Sequence, residues 1–113
     1  MGTTYLTPIR EQNINPMRII SKKPLIQHWT ARPTSQVPLE SWYAEARRAV
    51  WTTPGDVKAK YGSASILKGS RVVFNIHGNA FRLVVAINYQ AGVVYVRFIG
   101  THKEYDEIDA ETI

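Results

Sequence analysis

The stretch "SILKGSRVVFNIHGNAFRLVVAINYQAGVVYVRFIG", residues 65–100, decides the fold. It is rich in β-branched and aromatic residues and is broken by turn signals. Arg71 to Ile76 reads as one strand, "HGN" as a turn, and Phe81 to Tyr89 as the next strand. "QAG" is a second turn, and Val93 to Ile99 reads as the last long strand. Connections this short make antiparallel neighbours. Side chains alternate between the two faces of a strand. One face therefore collects Val72, Phe74 and Ile76, then Phe81, Leu83, Val85 and Ile87, then Val94, Val96 and Phe98. The opposite face collects Arg71, Val73 and Asn75, then Arg82, Val84, Ala86 and Asn88, then Val93, Tyr95, Arg97 and Ile99. Each strand has an uncharged face for a core and an opposite face with one arginine.

Upstream the texture is helical. "MRIIS" from Met17 is a short strand candidate. In "KKPLIQHWTARP", Pro24 suits a first helical turn, and Leu25, Ile26, His28 and Trp29 give a partial apolar face before Pro33 ends it. "PLESWYAEARRAVW" is the clearest helix, with Leu39, Trp42, Tyr43, Ala46, Ala49 and Val50 at helical spacing. Pro38 lies at its start and Arg47 and Arg48 in its last turn, which complements the helix dipole. "TPGDVKAKYGSA" predicts a short helix with Thr53 as cap, Pro54 in the first turn and Gly62 as stop. Residues 1–16 show no periodicity and read as a flexible leader or upstream extension; residues 17–113 read as a single domain. The element order is β-α-α-(α)-β-β-β-β, an α+β fold with helices over one face of a small antiparallel sheet.

The composition restricts the chemistry. The chain has 113 residues and no cysteine, which removes disulfides, thiolate metal ligands and a cysteine nucleophile. His28, His77 and His102 lack metal-ligand spacing, so neither a metal nor another cofactor is expected. There is no apolar run of roughly 18 residues to span a bilayer, and the N-terminus lacks the basic-then-apolar pattern of a signal peptide. The formal net charge is +5, and five of the nine acids fall in the last ten residues. The first 103 residues hold 14 Lys and Arg against four Asp and Glu, a local net of +10. A body this basic attracts polyanions, nucleic acid above all; the same charge also serves plain solvation.

Particular residues stand out against that background. Arg71, Arg82 and Arg97 lie on one face of three strands and could converge on a phosphodiester, whose oxygens match the guanidinium fork. They could equally top half-exposed strands, as edge-protecting charges do. In "RFIGTHKEYDEID", residues 97–109, His102 stands where the last strand stops. An imidazole there can move a proton near neutral pH, or simply be exposed. Tyr105 could stack on a base or anchor the final turn in a core. Lys58, Lys60, Lys68 and Lys103 add positive charge, and Asn75 shares the face of Arg71. The acidic tail reads as a short terminal turn outside the chemistry.

Four stretches in this order, "MRIISKKPL", Trp51-Thr52-Thr53-Pro54, "VVFNIHGNAFRLVVAINY" and "RFIGTHKEYDEID", resemble the HigB-type toxins of the RelE superfamily. The resemblance runs from Met17 to about Asp109. It implies a RelE-like α+β fold and a type II toxin–antitoxin mRNA interferase. It further implies a metal-independent endoribonuclease that cuts translated mRNA on the ribosome and is held inactive by a HigA-type antitoxin. DNA would be met only through the antitoxin complex, and the setting would be the bacterial cytoplasm. Carried onto this chain, it makes His102, Arg82, Tyr105 and Arg71 the catalytic set. Lys58, Lys60, Arg97, Lys103 and Asn75 become RNA-binding residues. The alternative is a non-catalytic RNA-binding or antitoxin-binding module with the same fold.

Overall fold

A computed structural model describes residues 16–113; the leader read over residues 1–16 falls almost wholly outside the described residues. The chain forms β1 (Arg18–Ile20), α1 (Lys23–Ala31), a 3-10 turn (Pro33–Ser35), α2 (Gln36–Arg48) and α3 (Pro54–Lys60). It continues through β2 (Ser65–Ile66), β3 (Arg71–Ile76), β4 (Phe81–Asn88), β5 (Val93–Thr101) and a single-turn α4 (His102–Tyr105). Pro24 does lie in the first turn of α1. Thr53 caps α3 in a capping box with Asp56, each satisfying the other's main-chain N–H. α2 begins two residues ahead of Pro38, which sits inside its first turn.

The strands form one five-stranded sheet in the order β1-β5-β4-β3-β2. β2 to β5 pair antiparallel, as their short connections require. β1 pairs parallel with β5, because the helices and the strands between carry the chain back to its starting side. The sheet is therefore mixed. The helices pack on one face around Val72, Phe74, Ile76, Phe81, Leu83, Val85, Ile87 and Val94. Leu25 of α1, Leu39, Trp42 and Ala46 of α2 and Val57 of α3 complete this core. Phe74 is its centre: Trp42 and Tyr61 present their rings at 5.4 and 5.0 Å in edge arrangements.

The alternation holds throughout β3 and β4 but breaks in β5. Val85 pairs with Val96 and Val84 with Phe98, so Arg97 is an extra residue in a bulge. One inserted residue exchanges the faces of everything beyond it. Phe98 thus leaves the helix-side face on which alternation places it, and Ile99 takes the helix side instead.

The outer face is not bare. The tail after α4 folds back across it. Val73, Val84, Phe98 and Leu67 pack there with Tyr105, Ile108, Ala110 and Ile113 in a second apolar cluster. Ala110 is 7% exposed. The acidic tail, read as a short terminal turn outside the chemistry, is also part of the packing. The acids of the tail face water, while alternate apolar residues beneath them reach the sheet.

Candidate active site

Strand register assembles the site. Arg82 on β4 stands opposite Asn75 on β3 and Gly100 on β5, three residues of one rung on the outer face. One step further, Phe81 pairs with Thr101, and His102 follows directly. The main-chain N–H of His102 donates to the carbonyl of Ala80 at 3.3 Å, tying the start of α4 to the β3–β4 hairpin. The imidazole of His102 is exposed, with Nδ1 3.6 Å from Oδ2 of Asp106 one helical turn on. Lys103 beside it is exposed as well. Arg82 is half-buried and donates from Nη1 to the carbonyls of Asn79 and Phe81, each at 3.2 Å. Its Nε and Nη2 bond to no protein acceptor among the described residues, which leaves much of the five-donor fork for an anion.

The hairpin under this rim is tightly wound. His77 and Gly78 both have positive φ, 56° and 63°. Glycine occupies that region freely, and histidine is among the few other residues enriched there. The ring of His77 stands 6.4 Å from that of Phe81, and His28 of α1 meets Phe81 edge-on at 4.9 Å. All three histidines of the chain thus gather at one end of the sheet. His28 is half-buried. Its Nδ1 shares a 2.9 Å hydrogen bond with the Ser35 hydroxyl, and its Nε2 is buried without a protein partner among the described residues. Burial first, and then the Arg32 guanidinium, holds the His28 pKa below the usual imidazole value. Glu104 accepts the Thr101 main-chain N–H, which with Arg32 and His28 nearby lowers its pKa. Among the described residues no three His, Asp or Glu side chains are grouped to hold a metal ion.

The remaining candidate residues are engaged differently. Arg71 begins β3, four residues from Asn75, or about 13 Å along the strand. Its Nε and Nη2 donate to the main-chain oxygen of Ile113 at 3.1 and 2.6 Å, and Nη1 to the Gly69 carbonyl at 2.8 Å. Arg97 in the bulge donates from Nε to the same Ile113 oxygen at 3.3 Å. The three arginines therefore do not converge. Two of them clasp the returning tail, and one stands on the open rim. Tyr105 packs into the second apolar cluster, the anchoring position. Lys58 donates to the Ala64 carbonyl at 2.6 Å, away from the rim. Lys60 borders a cleft of about 490 Å³ between α2 and α3, with Glu45, Arg48, Trp51 and Asp56. That cleft is distant from His102. The candidate site is an open rim, a shape that suits a strand of polymer better than a small molecule.

Glu104 and His28 were missed as members of this region, though both left signals. Thr101-His102-Lys103-Glu104 fits the T-x-x-E capping box, and His28 follows Leu25 by three residues on the buried side of α1.

Comparison with known proteins points the same way. A family model described as HigB_toxin, the RelE-like toxic component of a toxin–antitoxin system, matches residues 35–108. The mRNA interferase HigB of Escherichia coli O6:H1 is 27% identical over 94 residues, covering 81% of this chain and 91% of that protein. The mRNA interferase toxin HigB of Escherichia coli K12 is 28% identical over 92 residues, covering 80% and 88%. The mRNA interferase HigB of Shigella flexneri matches to the same extent. The matched residues span α2 to α4, the whole of the rim included. The chain belongs to the HigB toxin family, the RelE-like toxic components of toxin–antitoxin systems.

Proposed function

We propose that this protein is the toxin of a toxin–antitoxin pair and acts as an endoribonuclease on mRNA. The carrying observation is the rung Asn75–Arg82–Gly100 with His102 one step beyond it, on a rim that the tail leaves open. The names of the relatives, mRNA interferases across most of their length, supply the substrate class.

RNA carries its own nucleophile. A base takes the proton of a ribose 2′-hydroxyl. The 2′-oxygen then attacks the adjacent phosphorus, and the bond from phosphorus to the 5′-oxygen breaks. The products are a 2′,3′-cyclic phosphate and a 5′-hydroxyl that has gained a proton. In this reading His102 moves a proton at the exposed end of β5. Arg82 directs its free donors at the phosphate, where negative charge builds on the non-bridging oxygens. Asn75 and Lys103 border the strand of RNA. Tyr105 holds α4 down by its packing, which is a supporting role. Arg71 and Arg97 act through the tail they clasp, and Lys58 and Lys60 meet RNA only outside the cut site.

The finer elements of the reading are a reaction without metal, cutting on the ribosome in the bacterial cytoplasm, and silencing by an antitoxin of the HigA type. The local surplus of positive charge supports a polyanionic substrate and an acidic partner surface. The test is cleavage of mRNA in a translating extract by wild type, His102→Ala and Arg82→Ala, with 5′ ends mapped and translation blocked in a parallel sample. Loss of cuts in both variants is expected. Full activity in both rejects the assignment, and cutting that survives blocked translation rejects ribosome dependence.

A further inference from the structure

We propose that Glu104 and Arg32 are positioning residues for His102, a brace from the end of α1 that fixes where the imidazole stands. The proposal rests on His102 being the proton-transfer residue of the preceding section.

α4 has only four residues, and a single turn does not hold itself in water. Something outside it must fix its first residue. The capping box supplies the local part. Oε1 of Glu104 accepts the Thr101 N–H at 2.8 Å, and Oγ1 of Thr101 accepts the Glu104 N–H at 3.1 Å. These two bonds bracket His102, which lies between the paired residues. The same carboxylate then reaches off the turn, with Oε2 3.7 Å from Nη2 of Arg32. Arg32 caps the C-terminal end of α1, four residues beyond His28. His28 in turn packs edge-on against Phe81, the cross-strand partner of Thr101. One side chain of α1 and the residue that caps it thus bear on the strand end from which His102 springs.

The backbone is cut to fit this carboxylate. Gly100 is the cross-strand neighbour of Arg82, and a Cβ there would stand 2.8 Å from Oε1 of Glu104 and 2.6 Å from the Phe98 ring. Any side chain at position 100 would displace the carboxylate, the Phe98 ring or both. Glu104 therefore borders the rung that holds Arg82 while capping the turn that holds His102.

The pair is half-exposed, 46% for Arg32 and 50% for Glu104. Exposed ion pairs contribute little to global stability. The placement of a reacting group, by contrast, is sensitive, and about 1 Å of misplacement costs about 10²-fold. The brace should therefore be visible in turnover and nearly silent in unfolding.

The experiment is single-turnover cleavage of ribosome-bound mRNA at saturating and sub-saturating substrate, by Glu104→Ala, Glu104→Gln, Arg32→Ala, Arg32→Lys and Arg32→Ala/Glu104→Ala. Glu104→Ala is expected to lower kcat by about tenfold or more with KM within about twofold, as loss of positioning requires. Glu104→Gln keeps an acceptor for the Thr101 N–H and recovers part of the loss. Arg32→Lys recovers more than Arg32→Ala. The double variant is no worse than Glu104→Ala, since both act through one link. Faster hydrogen exchange at the Thr101 and His102 amides in Glu104→Ala, with an unchanged melting temperature, reports the loosened turn without reference to activity. A kcat unchanged in Glu104→Ala, a loss confined to KM, or additive effects in the double variant overturns the brace and leaves His102 standing. Full activity of His102→Ala in the same assay overturns the underlying reading instead.

Discussion

Arg71 and Arg82 occupy the same outer face of one sheet, on neighbouring strands, and their surroundings separate them. At the Arg71 end the tail returns. Ile108, Ala110 and Ile113 cover Val73, Val84 and Phe98, and the guanidiniums of Arg71 and Arg97 close on the Ile113 oxygen. At the Arg82 end no described segment returns. The rung Asn75–Arg82–Gly100 opens beside His102, and the Arg82 fork keeps donors to spare. An arginine on a strand face is thus neutral evidence. A carbonyl that already fills its donors makes it a structural clasp, and free donors beside a proton-transfer group make it a candidate for chemistry.

Removing the two arginines should give opposite signatures. Arg82→Ala is expected to cut the rate of RNA cleavage by about 10²–10³-fold, the range for a donor lost from a developing oxyanion. Its urea midpoint should stay close to wild type, since Arg82 donates only to two carbonyls of its own hairpin, each at a long 3.2 Å. His102→Ala should fall by about 10²–10⁴-fold in the same assay. Arg71→Ala should keep its cleavage rate per folded molecule within about twofold and lose about 0.5–1.5 kcal/mol of stability, because it removes two bonds to the Ile113 oxygen, leaving that of Arg97, and one to the Gly69 carbonyl. A rate loss in Arg71→Ala as large as that in Arg82→Ala would falsify the division of the face. A gentler probe of the closed end is Ala110→Asp, which sets a charge against Val73 and Val84. The expected cost is about 1–3 kcal/mol, moderated by the tail swinging free. Limited proteolysis should then cut the tail beyond Tyr105 while the sheet stays protected.

Much of this division was readable before the structure. The bounds of β3 and β4 follow from β-branched runs between turn signals, and their alternation correctly sorts the core from Arg71, Asn75 and Arg82. Thr53-Pro54-Gly55-Asp56 announces the α3 cap in four residues. The bulge at Arg97 leaves no such mark, because one extra residue in a uniformly β-forming strand changes neither composition nor length noticeably. Its effect was nonetheless large: Phe98 and Ile99 exchanged faces. The tail was hidden by its own surface. Glu104, Asp106, Glu107, Asp109 and Glu111 read as a charged end, while Ile108, Ala110 and Ile113 are too few to form a periodic signal alone. Only their packing against Val73, Val84 and Phe98 gives them a place. The parallel pairing of β1 was equally silent, since three residues cannot state a direction.

The smallest expected effect lies on the other side of the rim, where α1 meets the open end. The His28 imidazole titrates near 6.5 when the chain is unfolded, and burial together with Arg32 lowers that value in the fold. Between the lowered value and 6.5 the unfolded chain therefore carries the extra proton, and protons favour unfolding. The contribution of a neutral His28 is complete above about pH 6.5 and shrinks as the pH falls through that window. Glu104 acts lower down. Its folded pKa is depressed from 4.5, so its contribution is present above that value and lost on further acidification. Urea midpoints at pH 7.5, 6, 5 and 4 should show decline beginning in the upper window. His28→Gln, which keeps a polar group toward Ser35 and removes the titration, should flatten that window and leave the lower one in place. The same slope in both proteins between pH 7.5 and 5 would mean that the edge contact with Phe81 survives protonation.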